Sequence, residues 1–176
     1  MNALEDTLYW LEAAVIGLNL CPFAKAVHGK GLIRWVLSEA REPAALLDDL
    51  VAELQFLAAA DPGAVDTTLL VHPHVLGDFL DFNDFLGVAD AALAEVGLEG
   101  TLQIASFHPQ YRFAGSEPDD IANHTNRSPH PTLHLLREAS IEGAVASLAD
   151  AADIYERNIE TLQRLGPTGW AALFRR

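Results

Sequence analysis

Apolar side chains recur every three or four residues at Leu4, Leu8, Leu11, Val15 and Leu18, which predicts an amphipathic helix over residues 3–18. Gly17 and Asn19 weaken its end, and Leu20-Cys21-Pro22-Phe23 reads as a turn from which Pro22 opens a short second helix through Val27. Residues 32–37 read as a strand. Pro43 starts a helix whose inward face is Leu46, Leu47, Leu50, Val51, Leu54 and Leu57, ending at Asp61-Pro62-Gly63. Residues 67–72 form a buried strand stopped by Pro73. Asp81 is read as the N-cap of a helix that buries Phe82, Phe85, Leu86, Ala89, Leu93 and Val96, with Gly97 as its stop. Residues 101–107 are a third strand and 132–139 a fourth. Ser140 then caps a helix running from 141 to about 165, and Trp170, Leu173 and Phe174 dock a tail on the body.

Strand–helix–strand–helix–strand followed by strand–helix is an α/β pattern. The expectation is one domain over residues 1–176, with an N-terminal helical segment at 1–28 and a C-terminal helix and docking tail at 141–176. Right-handed crossovers make the first three strands parallel, so the sheet of about four strands is expected to be mostly parallel. The direction of the fourth strand is open, because a long ordered loop precedes it.

That loop concentrates the polar chemistry. Residues 106–138 hold four of the seven histidines, four of the nine prolines and three arginines of the chain. The middle of the segment has neither a helical nor a strand period, and long irregular segments in compact domains build sites or are disordered. Phe107, Tyr111 and Phe113 argue for order. The net charge of −14 argues against nucleic acid or an anionic membrane surface as partner. It also makes the few cations informative: six of eleven Lys and Arg (Lys25, Lys30, Arg34, Arg112, Arg127, Arg137) fall around Cys21 or in this segment. A local positive pocket suits a small anionic molecule; scattered arginines paired with surface carboxylates are the plain alternative. A single cysteine and the absence of a secretory pattern or an apolar run of about 20 residues point to a cytoplasmic protein without disulfides.

Parallel strands place their C-terminal ends on one edge, where open α/β sheets bind ligands. Strands 67–72 and 101–107 each end in histidine-proline, His72-Pro73-His74 and His108-Pro109, so both histidine clusters are expected on one rim. His108 is the candidate general acid/base, with Asp120 as its orienter or a second acid. Arg112 and Arg127 are the candidate anion clamp, and Asn123, Asn126 and His134 add polar recognition. His134 alternates with Leu133 and Leu135 and therefore faces away from the side they bury. Cys21, ahead of a helix start with Lys25 and Lys30 nearby, is an outside candidate for a nucleophile, although a lone cysteine is commonly a small buried hydrophobe. His72, His74 and His108 with a carboxylate are an alternative metal set that no metal-binding spacing supports.

The segments Leu18-Asn19-Leu20-Cys21-Pro22-Phe23-Ala24, Phe107-His108-Pro109-Gln110-Tyr111-Arg112-Phe113 and 126–138 (Asn-Arg-Ser-Pro-His-Pro-Thr-Leu-His-Leu-Leu-Arg-Glu) carry a resemblance over nearly the whole chain. It resembles a family of uncharacterised bacterial proteins, domain-of-unknown-function family 1415. The resemblance implies a cytosolic bacterial protein of this size, and it brings no activity, cofactor or catalytic residue with it.

The functional expectation is a small cytosolic enzyme acting on an anionic metabolite through the His/Asp/Arg loop site. Its alternatives are a metal-binding protein and a non-catalytic ligand-sensing or interaction module. Substrate, reaction, cofactor and oligomeric state are left open by the residues.

Overall fold

The computed structural model describes residues 2–146 and 151–175, with the side chains of 145, 146, 151 and 152 left aside. Asn2 caps the first helix, α1 (Ala3–Trp10), through a reciprocal pair: its Oδ1 accepts from the Glu5 amide, and Glu5 accepts from the Asn2 amide. The helix then continues as a π-helical stretch, Leu11–Ile16, and a Cβ at Gly17 would collide with the Ala13 carbonyl. A short helix α2 (Ala24–Gly29) follows, starting two residues later than Pro22 suggested.

Strand β1 (Ile33–Leu37) leads to α3 (Pro43–Ala59), which opens on its proline as expected. Strand β2 (Thr67–Val71) is buried along its length. Helix α4 (Phe79–Glu95) is capped by Asp78, not Asp81: the Asp78 carboxylate accepts from the Leu80 and Asp81 amides. Strand β3 (Leu102–Phe107) precedes the long loop, which contains a 3-10 turn at Ile121–Asn126, and β4 (Thr132–Arg137) follows it. Helix α5 (Glu138–Ala146) begins ahead of Ser140, whose hydroxyl donates to the Asp66 carboxylate instead of capping. Helix α6 (Ala151–Ala172) is broken at Gly166-Pro167, where Gly166 has φ +68°. A single helix across 147–150 lies outside the described residues.

The sheet order is β1-β2-β4-β3. Only β1 and β2 pair in parallel, while β4 runs antiparallel to both β2 and β3. The expected mostly parallel sheet is therefore corrected to a mixed, mostly antiparallel one. The reason is the loop: it is long enough to carry the chain back over the strand ends and insert β4 between β2 and β3. Since β4 opposes both, β2 and β3 still run in the same direction, and their C-terminal ends share an edge.

Strand parity divides the side chains between two layers. Leu70, Leu133, Leu135 and Leu102 pack with Leu46, Leu50, Leu54 and Leu57 of α3 and Phe82, Phe85, Ala89 and Leu93 of α4. The other face meets the N-terminal helices, where Trp10, Leu11, Ala14 and Val15 pack with Ile33, Trp35, Phe107 and the C-terminal Trp170, Leu173 and Phe174. Arg137, at the end of β4, donates through Nη2 to the Ala60 and Val65 carbonyls, tying the end of α3 to the sheet. Among the described residues no helix is long and apolar enough to cross a membrane.

Candidate functional site

His72 and His108 emerge one residue beyond β2 and β3 with the same parity, and both are fully buried on the α4 side of the sheet. Their rings flank Phe82, His72 stacked on it at 5.7 Å and His108 at 4.9 Å between centroids. The expected convergence of the two strand ends is present. The chemistry of the rings is another matter.

A backbone amide can only donate and a carbonyl can only accept, so the hydrogen bonds assign both tautomers. Gln110 N–H donates to His108 Nδ1, and His108 Nε2–H donates to the Leu76 carbonyl at 3.0 Å. His72 Nδ1–H donates to the Val75 carbonyl at 3.1 Å, leaving a buried Nε2 without a partner among the described residues. Burial lowers the His108 pKa, and it pushes His72 down to about 4, so both rings are neutral near pH 7. Together they pin the turn between β2 and α4, where Leu76 adopts a left-handed backbone (φ +60°) that a leucine occupies only when its surroundings enforce it. His108 has no free nitrogen with which to carry a proton.

The loop beyond His108 is ordered by its own polar side chains. Asn123, fully buried, accepts from Phe113 N–H at 3.0 Å and donates to the Glu117 carbonyl at 2.9 Å, while the single Ser116 hydroxyl hydrogen is shared between its Oδ1 at 2.9 Å and the Phe113 carbonyl at 2.8 Å. Asn126 donates to the Ser106 carbonyl, and Asp120 caps the 3-10 turn by accepting from Ala122 N–H. Recognition was expected of both asparagines; Asn123 is bonded within the loop through both of its polar atoms, and Asn126 to the strand through Nδ2. His124 lies edge-on to Trp170 at 4.8 Å, with Nδ1 donating to the Ile121 carbonyl. Replacing Asn123 with alanine removes two full bonds and a shared one, each full bond with a net worth of about 1 kcal/mol, and leaves the Phe113 amide without its acceptor. We expect a loss of roughly 3 kcal/mol in urea unfolding together with faster amide exchange at Phe113; an unchanged unfolding midpoint would mean the loop is ordered by something else.

Arg112 and Arg127 come together. Arg112 Nε donates to the Ser116 carbonyl at 2.8 Å, while Arg127 donates to the Tyr111 carbonyl at 3.0 Å and the Pro118 carbonyl at 2.6 Å. Both arginines line an open cleft of about 680 Å³ with Phe79, Leu80, Phe113 and Asp78. Pattern reading missed the apolar lining from the start of α4. The available signal was Asp78-Phe79-Leu80, where an aspartate three residues ahead of Asp81 can cap the helix and bring two apolar side chains to its start.

Cys21 and His134 lie elsewhere. They line a second cavity, of about 330 Å³, between the opposite face of the sheet and the N-terminal helices. His134 was placed in the loop site by its sequence neighbourhood, but its parity with Thr132 and Leu136 carries it through to that face. The described residues contain no group of three or more His, Cys, Asp or Glu side chains that could hold a metal. His74 lies 3.5 Å from the Glu39 carboxylate, whereas His72 and His108 are turned to backbone.

Compared with known proteins, residues 2–172 match the family described as "Protein of unknown function (DUF1415)". No curated protein and no solved structure matches the chain.

Proposed function

Because the chain belongs to the DUF1415 family, whose description assigns no activity, we propose a function from its own residues: it binds a small anionic molecule between Arg112 and Arg127, at the edge where β2 and β3 end. One observation carries this reading. In a chain of net charge −14, Arg112 and Arg127 line one cleft and neither has a carboxylate partner among the described residues. Their bonds to loop carbonyls fix each orientation while leaving Arg112 both Nη groups and Arg127 Nη1 for a ligand. A planar fork so held suits a carboxylate or phosphate.

Phe79, Leu80 and Phe113 give the cleft an apolar side for the body of the ligand. Asp78 spends one carboxylate oxygen capping α4, and its charge disfavours a second anionic group at that end of the ligand. His108 and His72 act as pillars that set the shape of the cleft edge. We therefore favour ligand recognition over acid–base catalysis by His108.

Titration with phenylphosphate and with inorganic phosphate, followed by amide chemical shifts, tests the reading. A hydrogen bond to a charged group is worth about 1.5–3 kcal/mol, so Arg112→Gln should weaken phenylphosphate binding by roughly tenfold or more, and Arg112→Lys by less. Equal affinity in Arg112→Gln and the parent, or no binding of either probe at millimolar concentration, would sink it.

A further inference from the structure

We infer that the cavity between the sheet and the N-terminal helices is a second binding site, which takes an uncharged, mostly apolar molecule carrying a single hydroxyl group. The site stands apart from the anion cleft: it lies on the other face of the sheet and shares no lining residue with that cleft.

His134 sets the chemistry. Thr67 Oγ has one hydrogen, and it goes to the Leu135 carbonyl at 2.5 Å, since a carbonyl can only accept. The 2.7 Å contact between Thr67 Oγ and His134 Nε2 is then a bond donated by the imidazole. The ring is held as the Nε2–H tautomer, and its Nδ1 lone pair has no partner among the described residues. The ring keeps some accessible surface as a wall of the cavity, yet burial pushes its pKa down to about 4, so it is neutral near pH 7. It is a fixed acceptor on a mostly apolar wall.

The rest of the wall defines the body of the ligand. Phe107 stands 6.1 Å from the His134 ring and edge-on to Trp10 at 5.2 Å, and Leu69 and Phe23 complete an apolar surround. Trp10 is 2% exposed, and its indole N–H has no partner among the described residues. A hydroxyl can donate to the imidazole lone pair without bringing a charge into this apolar wall. The Asp66 carboxylate, also on the wall, disfavours an anion. At about 330 Å³ the space is at the lower end of the roughly 300–1,000 Å³ of small-molecule sites. The wall from Leu11 to Val15 is the π-helical stretch, a geometry frequent at functional sites.

Binding of p-cresol against toluene, the same ring without the hydroxyl, tests the site on the full chain. One neutral hydrogen bond nets about 0.5–1.5 kcal/mol, so p-cresol should bind roughly two- to tenfold more tightly than toluene. Only p-cresol should move the His134 Nδ1 resonance in imidazole nitrogen NMR. Cys21, the single cysteine, lies on the cavity wall, so saturating p-cresol should also slow its alkylation by iodoacetamide. His134→Leu should erase the preference for p-cresol while toluene still binds; if that variant does not fold, the resonance shift in the parent decides. Arg112→Gln should leave p-cresol binding unchanged, which separates this site from the anion cleft. Equal affinity for p-cresol and toluene, no binding of either, or an unmoved His134 resonance at p-cresol saturation would each overturn the assignment.

Discussion

Phe82→Ala should cost about 3–5 kcal/mol, the upper range for a deleted core aromatic, and should loosen the turn at residues 73–77 in the same step. Phe82 has no exposed surface and is in ring contact with His72, His108 and Phe79. Its removal opens a cavity and takes the packing surface from the two imidazoles that hold the Val75 and Leu76 carbonyls. The left-handed Leu76 backbone is tolerated only while those bonds stand. Chemical denaturation gives the stability loss, and exchange of the His108 Nε2 proton gives the state of the turn. Val88→Ala, on the same helix but 48% exposed, should change stability by less than about 0.5 kcal/mol. A Phe82→Ala cost below about 1 kcal/mol with the His108 proton still protected would show that the rings need no support from this side chain.

Much of the architecture was legible because it rests on local period and punctuation. Pro43 opens α3, the apolar spacing of both long helices gives their buried faces, and His72-Pro73 and His108-Pro109 mark where β2 and β3 stop. The convergence of these two strand ends was also legible, since it follows from strand direction alone. The place of β4 was not: a strand after a long loop can pair on any open edge, and its pairing depends on loop contacts such as His108 N–H with the Asn126 carbonyl. Parity was readable but was not followed through. His134 alternates with Leu133 and Leu135, which assigns it to the face opposite His108, and grouping the two by their shared segment overrode that signal. The satisfaction of His108 by Gln110 and Leu76 was beyond reach. It depends on the path of a turn more than thirty residues away in sequence.

The same buried imidazoles predict a steep acid dependence of stability. His72 and His134 are held near pKa 4 by burial, against about 6.5 in the unfolded chain, and His108 is lowered in the same direction. Above about pH 7.5 neither folded nor unfolded chain is appreciably protonated at these rings, and they impose no penalty. As pH falls from there toward 4 the unfolded chain takes up protons that the folded chain refuses, so stability falls. Below about 4 the penalty is complete, at about 3 kcal/mol for each of the two rings. Two such groups remove a large part of the roughly 5–15 kcal/mol that holds a domain folded. Urea unfolding between pH 6.5 and 5, above the range where most carboxylates titrate, should show a slope that grows from about one proton to nearly two. His134→Gln isolates one of them, because the glutamine amide can still donate to Thr67 Oγ but cannot titrate. Its slope should be lower by about half, with stability at pH 7 changed far less than at pH 5. A flat profile in the parent over this window, or parallel profiles for parent and His134→Gln, would mean that these rings are protonated in the folded state as readily as in the unfolded one.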